Sequence, residues 1–240
     1  MRAQHDPHFS DFLLRVDNGD EPTIENDMIR IPDSMAMHWE GENSIDELIN
    51  AIFPDLSSHM YDTDYMENRA IITHLNDDVN KLNEKAINAF PGEEVTYYSF
   101  DSVPDDTRNL YPGEIFTGNL PPHKLVLKKG SPIMLLRNID LKIGLCNGTR
   151  LICRRFGRNL IEAEILAGQF KRMRVFLSRI PLKSAEDAKM PFEMLRRQFP
   201  IRLSFALTIN KSQGQTFQIE VMDNCILLYL GVFQKEQLKF

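Results

Sequence analysis

The spacing of hydrophobic positions changes near residue 92, where a helical pattern gives way to short strands. Residues 70–73 form a short apolar run, and apolar side chains then recur at helical spacing until Pro91-Gly92. We therefore predict a buried strand followed by a helix. Asn76 or Asp77 is the expected helix cap, because both residue types favour that position.

Beyond residue 92 the pattern predicts short strands separated by Gly, Pro, Asn or Asp, which is typical of a small β-barrel. The predicted strands are residues 95–100, 125–127, 133–136, 149–153, 161–165 and 174–177. Asn147-Gly148 is interpreted as a tight turn between barrel strands, since this pair favours such turns. A further apolar run, residues 203–207, predicts a core strand.

The first 66 residues are acidic and interrupted by prolines, and they indicate an extended arm or linker. One helix is predicted there, from about Ser44 to Phe53, because Ser44 and Glu47 have the spacing of a capping box. The only Asp-Glu pair flanked by apolar residues, Asp46-Glu47, falls inside this pattern. We interpret the pair as part of a helix start, with a magnesium-binding carboxylate as the alternative.

The most informative segment is T-I-N-K-S-Q-G-Q-T-F, residues 208–217. It follows the predicted core strand and brings hydroxyls, an ammonium group and free backbone N–H groups to one edge of a sheet. Such groups suit phosphate oxygens of a nucleotide or of a nucleic-acid backbone. An ordinary polar loop after a core strand is the alternative interpretation.

This segment resembles the T-I-H-K-S-Q-G-x-T stretch of superfamily-one DNA helicases. The resemblance is closest to the Pif family and its relatives encoded by Helitron transposons. Further blocks resemble the family in the same order, and the similarity spans roughly residues 25 to 220. These blocks are residues 69–83, 125–138, 144–150 and 196–203.

The resemblance implies an α/β fold: a partial P-loop-NTPase (RecA-like) domain with an inserted Src-homology-three-like β-barrel. The implied parts are an arm (1–66), the second RecA-like domain (67–91 and 183–225), the barrel (92–182) and a divergent tail (226–240). The family's contacts to single-stranded DNA carry over to Thr73, Asn76, Thr208, Asn210, Lys211 and Ser212. Those to the nucleotide carry over to Gln213 and Gly214. A capping role is the alternative for Asn76, and both roles can hold.

Several features of the family are not found in this sequence. No G-x-x-x-x-G-K-[ST] phosphate loop occurs, and no Arg follows Phe217. Asn210 stands where the family usually has His. The resemblance therefore implies a piece of an ATP-dependent 5′–3′ DNA helicase that lacks the first RecA-like domain and its Walker motifs.

ATP and Mg²⁺ would be bound by the complete enzyme and not by this chain alone, so we expect no ATP hydrolysis from it. Two other hypotheses stay open at this point. The chain could be a stand-alone module that binds single-stranded nucleic acid, or a decayed product of a transposon. Under both the helicase hypothesis and the binding-module hypothesis the partner is single-stranded DNA. Under the helicase hypothesis the missing first RecA-like domain is a second partner.

Charge is distributed unevenly along the chain. Residues 1–120 carry 7 of the 28 Lys and Arg residues and 25 of the 34 Asp and Glu residues. The basic second half could face a nucleic acid, or the two halves could neutralise each other across an interface. Lys128, Lys129 and Arg137 could contact phosphates or be solvated, and the sequence does not separate these roles.

Composition excludes several other classes of protein. The longest apolar run, residues 225–233, is well short of the roughly 18 residues of a membrane span, so we expect no membrane association. The three cysteines lack metal-binding or disulfide spacing. We expect an intracellular protein, and a nuclear one if the resemblance holds.

Overall fold

The structure is a computed structural model, and it describes residues 7–24, 28–32, 37, 40–73, 75–102, 120–183 and 195–212. The chain divides into two compact units, residues 1–44 with 219–240 and residues 45–218. The first unit contains a helix and an isolated bridge between Thr23 and Ile29. Almost all of the other regular structure lies in the second unit.

Five α-helices are described: α1 (Pro7–Asn18), α2 (Asn43–Ile52), α3 (Thr63–Glu67), α4 (Asn76–Ala89) and α5 (Ile209–Ser212), together with a short 3₁₀-helix at Leu141–Ile143. The predicted helices at 44–53 and after residue 76 are confirmed as α2 and α4. Helices α1 and α3 were not predicted. Helix α3 is capped by Asp62, whose carboxylate accepts hydrogen bonds from the backbone N–H groups of Asp64 and Tyr65.

Twelve strands are described: β1 (Ile71–Thr73), β2 (Glu94–Tyr98), β3 (Phe100–Ser102), β4 (Lys124–Lys128), β5 (Pro132–Leu135), β6 (Arg150–Phe156), β7 (Leu160–Ile165), β8 (Arg174–Ser178), β9 (Ile180–Lys183), β10 (Leu195–Gln198), β11 (Ile201–Leu203) and β12 (Ala206–Thr208). They form a parallel pair β1–β12, an antiparallel pair β2–β4, a three-stranded sheet β3–β10–β9 and a five-stranded sheet β11–β5–β6–β7–β8. The fold is therefore mixed α/β.

The predicted single strand at 203–207 is wrong. Leu203 ends β11 in the five-stranded sheet, and Ala206 begins β12, which pairs with β1. Between them the chain changes sheets, and Phe205 is fully buried there. Its ring packs against those of Phe53 and Phe90, with centroids 5.6 and 5.5 Å away. Packing of this aromatic side chain fixes a bend that an apolar run alone does not reveal.

The strand-rich part has one hydrophobic core, shared by the five-stranded sheet and the β2–β4 pair. Its fully buried members include Leu127, Ile133, Leu151 and Leu177. The described strands do not pair into a closed barrel, because β11 and β8 are the edges of the five-stranded sheet. The predicted small β-barrel is therefore not confirmed. Strand β11 also joins this sheet from outside the predicted insert.

On one face of the three-stranded sheet, a largely buried ion pair joins β10 to β3. Arg196 of β10 donates to both carboxylate oxygens of Asp101 of β3, at 2.9 and 2.7 Å. Burial raises the pKa of Asp101, but hydrogen bonds from Arg196 and Ser99 outweigh this effect, and the pKa lies below its ordinary value. Strands β9 and β10 were not predicted.

The described residues contain no helix that is long and apolar enough to cross a bilayer. Within the same residues, no group of three or more His, Cys, Asp or Glu side chains could hold a metal ion. Cys153 is buried, and burial raises the pKa of its thiol to about 12. Such a thiol stays protonated and unreactive at neutral pH.

Candidate nucleic-acid interface

The carboxyl ends of β1 and β12 bring two of the predicted DNA-contacting residues together. Thr73 and Thr208 are direct partners in the parallel pair. Ligands of α/β proteins bind outside this end of a parallel sheet. Both threonines are buried, and no described residue forms a hydrogen bond with the Thr73 hydroxyl oxygen. A buried hydroxyl without a partner is costly, so this group is a candidate for a ligand contact.

Asn76 lies next to these strand ends, but it does not cap α4. The helix begins at Asn76, the capping position belongs to Leu75, and no side chain forms a capping hydrogen bond. The predicted cap at Asn76 or Asp77 is therefore wrong. Asp77 instead lies in the first helical turn, where its negative charge interacts favourably with the helix dipole. The side chain of Asn76 is exposed and available for another role.

Helix α4 holds β12 in place through one buried amide. The Nδ2 group of Asn83 donates to the carbonyl of Ala206 at 3.0 Å, and its Oδ1 accepts from the N–H of Ala206 at 3.0 Å. This pairing satisfies both polar backbone groups of a residue that is fully buried. It also fixes the position of Thr208, two residues further along β12.

The predicted segment 208–217 is only partly described. Helix α5 follows β12 directly and carries Asn210, Lys211 and Ser212. Asn210 is exposed and Lys211 is half-buried. Gln213 and Gly214, the two residues predicted to contact the nucleotide, lie outside the described residues.

Three cations from distant parts of the chain lie close together, and we call Arg137, Arg202 and Lys211 the cationic cluster. Burial lowers the pKa of Lys211, and the positive charges of Arg202 and Arg137 lower it further. Burial also lowers the pKa of Arg202, whose Nε is buried without a hydrogen-bond partner in the described residues. Since no carboxylate of the described residues pairs with these groups, the cluster can accept an anion.

Asn147 links the strand-rich part to this cluster. Its Oδ1 accepts a hydrogen bond from the Lys211 ammonium at 3.3 Å. The predicted turn at Asn147-Gly148 is confirmed, because the N–H of Thr149 bonds to the carbonyl of Cys146 at 3.0 Å. Of the two central residues of this turn, Gly148 has a positive φ of 93° and Asn147 does not. The turn therefore does not have the geometry of a two-residue hairpin. Asn147 therefore combines a turn position with a contact at the candidate site.

The structure separates the three basic residues whose roles the sequence left open. Lys128 donates to the carbonyl of Phe90 at 2.7 Å, next to the end of α4. Lys129 lies over the ring of Tyr61, 4.9 Å from its centroid. Both make contacts within the chain, whereas Arg137 joins the cationic cluster. Arg202 was missed, although an arginine within the apolar run after Pro200 was a signal for it.

A buried arginine holds the elements of the site together. Arg150 of β6 donates to the carbonyls of Glu67, Met66 and Arg69 at 3.0, 3.0 and 2.8 Å. It also reaches the carbonyl of Ser204 at 3.4 Å. Burial lowers its pKa to about 10, so it stays charged at neutral pH. Arg150 thereby joins the strand-rich sheet to the segments that lead into β1 and β12.

Comparison with known proteins points to one group of helicases. A family model described as "DNA helicase Pif1, 2B domain" matches residues 111–156. The "ATP-dependent DNA helicase PIF1" of Xenopus laevis is 28% identical over 186 residues, which are 75% of this chain and 26% of that protein. The chain thus spans about a quarter of the length of the curated relatives that it matches.

Solved structures share the fold. Pif1 helicase from Candida albicans superposes with a TM-score of 0.53 at 20% identity, over 93% of this chain and 50% of that chain. Pif1 helicase from Bacteroides, in complex with ADP-AlF3 and ssDNA, gives a TM-score of 0.52 at 20% identity, over 90% and 42% of the two chains. At this level of identity the likeness shows the fold.

Proposed function

We propose that the chain corresponds to a C-terminal portion of a Pif1-family helicase and that it forms part of the DNA path of such an enzyme. In this role it binds the backbone of single-stranded DNA at the ends of β1 and β12. It also forms one side of the ATP cleft of a 5′–3′ DNA helicase. Without the other side of that cleft, it does not turn over ATP.

The observation that carries this proposal is the cationic cluster. The positive charges of Arg202 and Arg137 lower the pKa of Lys211, and like charges this close together are unfavourable unless an anion compensates them. Phosphate is a suitable anion, because charge-assisted hydrogen bonds from arginine and lysine to phosphate oxygens are strong. The neighbouring hydroxyls of Thr73 and Thr208 and the amides of Asn76 and Asn210 supply neutral groups of the kind that bind a DNA backbone.

The relatives support DNA and a nucleotide as ligands. The Xenopus relative is named an ATP-dependent DNA helicase. The Bacteroides relative was solved with ADP-AlF3 and ssDNA. We propose by analogy that Gln213 and Gly214 face the nucleotide, with Mg²⁺ held by the remainder of the complete enzyme. Stabilisation of the transferring phosphoryl group needs several positive groups in one site, so one side of the cleft is insufficient.

Binding of the full chain to a fluorescently labelled oligo-dT, followed by anisotropy at several salt concentrations, tests the proposal. We expect weak binding with little dependence on sequence, because phosphate contacts carry no sequence information. For single strands, each neutralised phosphate contributes a slope of about 0.7 to the log–log plot of affinity against salt. Lys211→Gln removes one charge of the cluster and should reduce the slope by about this amount.

Lys171→Gln is the matched control. The ammonium of Lys171 is already paired with the carboxylates of Asp64 and Glu67, so its removal should leave the salt slope unchanged. Undetectable binding by the unchanged protein at low salt contradicts the proposal. Equal effects of the two substitutions would show that any lysine contributes and that the cluster is not the site.

A further inference from the structure

The three-stranded sheet has one face that points to solvent. Cross-strand partners in an antiparallel sheet lie on the same face, and Phe100, Arg197 and Pro181 are partners across β3, β10 and β9. The next row on this face contains Ser102, Leu195 and Lys183. We call these six residues the outer face. It lies on the side of the sheet opposite to the buried Asp101–Arg196 pair.

The outer face combines an exposed aromatic ring with positive charge. The side chain of Phe100 is 68% exposed. Arg197, its direct partner, is also exposed, and no acidic residue occupies the outer face. Arg179 lies beside it, with its guanidinium 5.5 Å from the centroid of the Phe100 ring. Its Nη1 donates to the side-chain oxygen of Gln198 at 2.9 Å, which helps to fix its position.

An aromatic ring on an open sheet, surrounded by cations, fits the chemistry of single-stranded nucleic acid. Bases stack on exposed aromatic rings, and each base offers such a face whatever the sequence. Arg197 can neutralise the phosphates that flank a stacked base. The apolar area of the exposed Phe100 ring stays hydrated unless a ligand covers it.

We propose that the outer face is a second binding site for single-stranded DNA, with one base stacked on Phe100 and its phosphates paired with Arg197. It shares no residue with the cationic cluster. It uses the same ligand and so rests on the DNA-binding part of the proposed function. Its binding mode is different, because it depends on a base and not on the backbone alone.

The test compares two labelled oligonucleotides of equal length, an oligo-dT and an abasic strand that keeps every phosphate. Phe100→Leu keeps the apolar character but removes the ring. We expect it to weaken binding of oligo-dT about tenfold, within the range for stacking of one base on an aromatic side chain. Binding of the abasic strand should not change. Phe100→Tyr, which restores a ring, should bind oligo-dT as the unchanged protein does.

Phe176→Leu is the matched control. Phe176 is 63% exposed on β8, but the arginines near it, Arg174 and Arg155, are already paired with its cross-strand partner Glu162 and are not available to phosphates. This substitution should leave the affinity for both strands unchanged. Photo-crosslinking of an oligonucleotide that contains 5-iododeoxyuridine gives a second readout, with Phe100 expected as the modified residue and Phe176 unmodified.

The outcomes distinguish this proposal from the function proposed above. Each substitution is also made in a Lys211→Gln background, so that the cationic cluster does not mask a change at the outer face. If Phe100→Leu has no effect, or weakens oligo-dT and the abasic strand equally, the second site is overturned. An effect of Lys211→Gln that persists in that case leaves the proposed backbone contact intact.

Discussion

Replacement of Asn83 by leucine tests how β12 and the candidate interface are held in place. Leucine has a similar size and a good helix propensity, so the substitution mainly removes two hydrogen bonds to Ala206. Ala206 is fully buried, and its N–H and carbonyl would then lack partners. Each unsatisfied buried polar group costs about 1–3 kcal/mol, and we therefore expect a loss of about 3 kcal/mol in the free energy of unfolding.

For a protein of this size a loss of 1 kcal/mol lowers the Tm by about 2–4 °C, so Asn83→Leu should lower it by roughly 6–12 °C. Thermal unfolding followed by circular dichroism measures this change. Asn80→Leu is the matched control, because Asn80 is exposed on the same helix and lies outside these hydrogen bonds. Its Tm should stay within about 2 °C of the unchanged protein, as is usual for surface substitutions.

The result that would refute the reasoning is equal stability of the two variants. It would mean that β12 keeps its place without the amide, and that β1 alone positions Thr208. Amide hydrogen exchange gives a local check on the same point. The N–H of Ala206 should lose protection in Asn83→Leu, and its protection should be unchanged in Asn80→Leu.

Two further outcomes follow from the buried charges. Arg150→Met should lower the free energy of unfolding by at least about 3 kcal/mol, since several carbonyls lose a charged donor. Arg155→Met is the control, because the side chain of Arg155 is 84% exposed, and it should change the free energy of unfolding by less than about 0.5 kcal/mol. Chemical denaturation measures both values. Burial raises the pKa of Glu164, but hydrogen bonds from Arg154 and Thr63 outweigh it and hold the pKa below the ordinary 4.5. The stabilising contribution of the Glu164 carboxylate is therefore present above pH 4.5 and is lost as the pH falls through the lower pKa of the folded state. The Tm difference between Glu164→Gln and the unchanged protein should therefore shrink between pH 7 and about pH 3. A difference that stays constant over this range would contradict the reasoning.

The sequence predicted the elements that repeat a simple pattern. The β1 strand and α4 lie close to their expected bounds, because their apolar positions alone determine which side is buried. The short strands β4 to β8 were also predicted, since turn residues separate them. Helix α1 was missed because its segment carries no capping signal of the kind used for α2.

What the sequence did not predict depends on contacts between distant residues. The break at Ser204 and Phe205 arises from aromatic packing against residues far along the chain. Strand β10 was missed because its Arg-Arg pair looks solvated, whereas Arg196 is buried against Asp101. The resemblance indicated Thr208 and Lys211 at the site. The proximity of Arg202 to Lys211, which lowers the pKa of Lys211, is a feature of the folded chain and was not predicted.

The uneven charge of the chain has two explanations, and each applies at a different place. Some charges of the two halves pair with each other: Lys171 and Arg172 bind Asp64, which lies in the acidic half. Other cations of the basic half have no carboxylate partner among the described residues, and they include Arg137, Arg202 and Lys211 of the cationic cluster and Arg197 of the outer face. The cluster lies near the end of β1, where the Thr73 hydroxyl has no hydrogen-bond partner in the described residues, and Arg197 lies beside the exposed ring of Phe100. DNA can satisfy the first feature with its phosphates and the second with its bases.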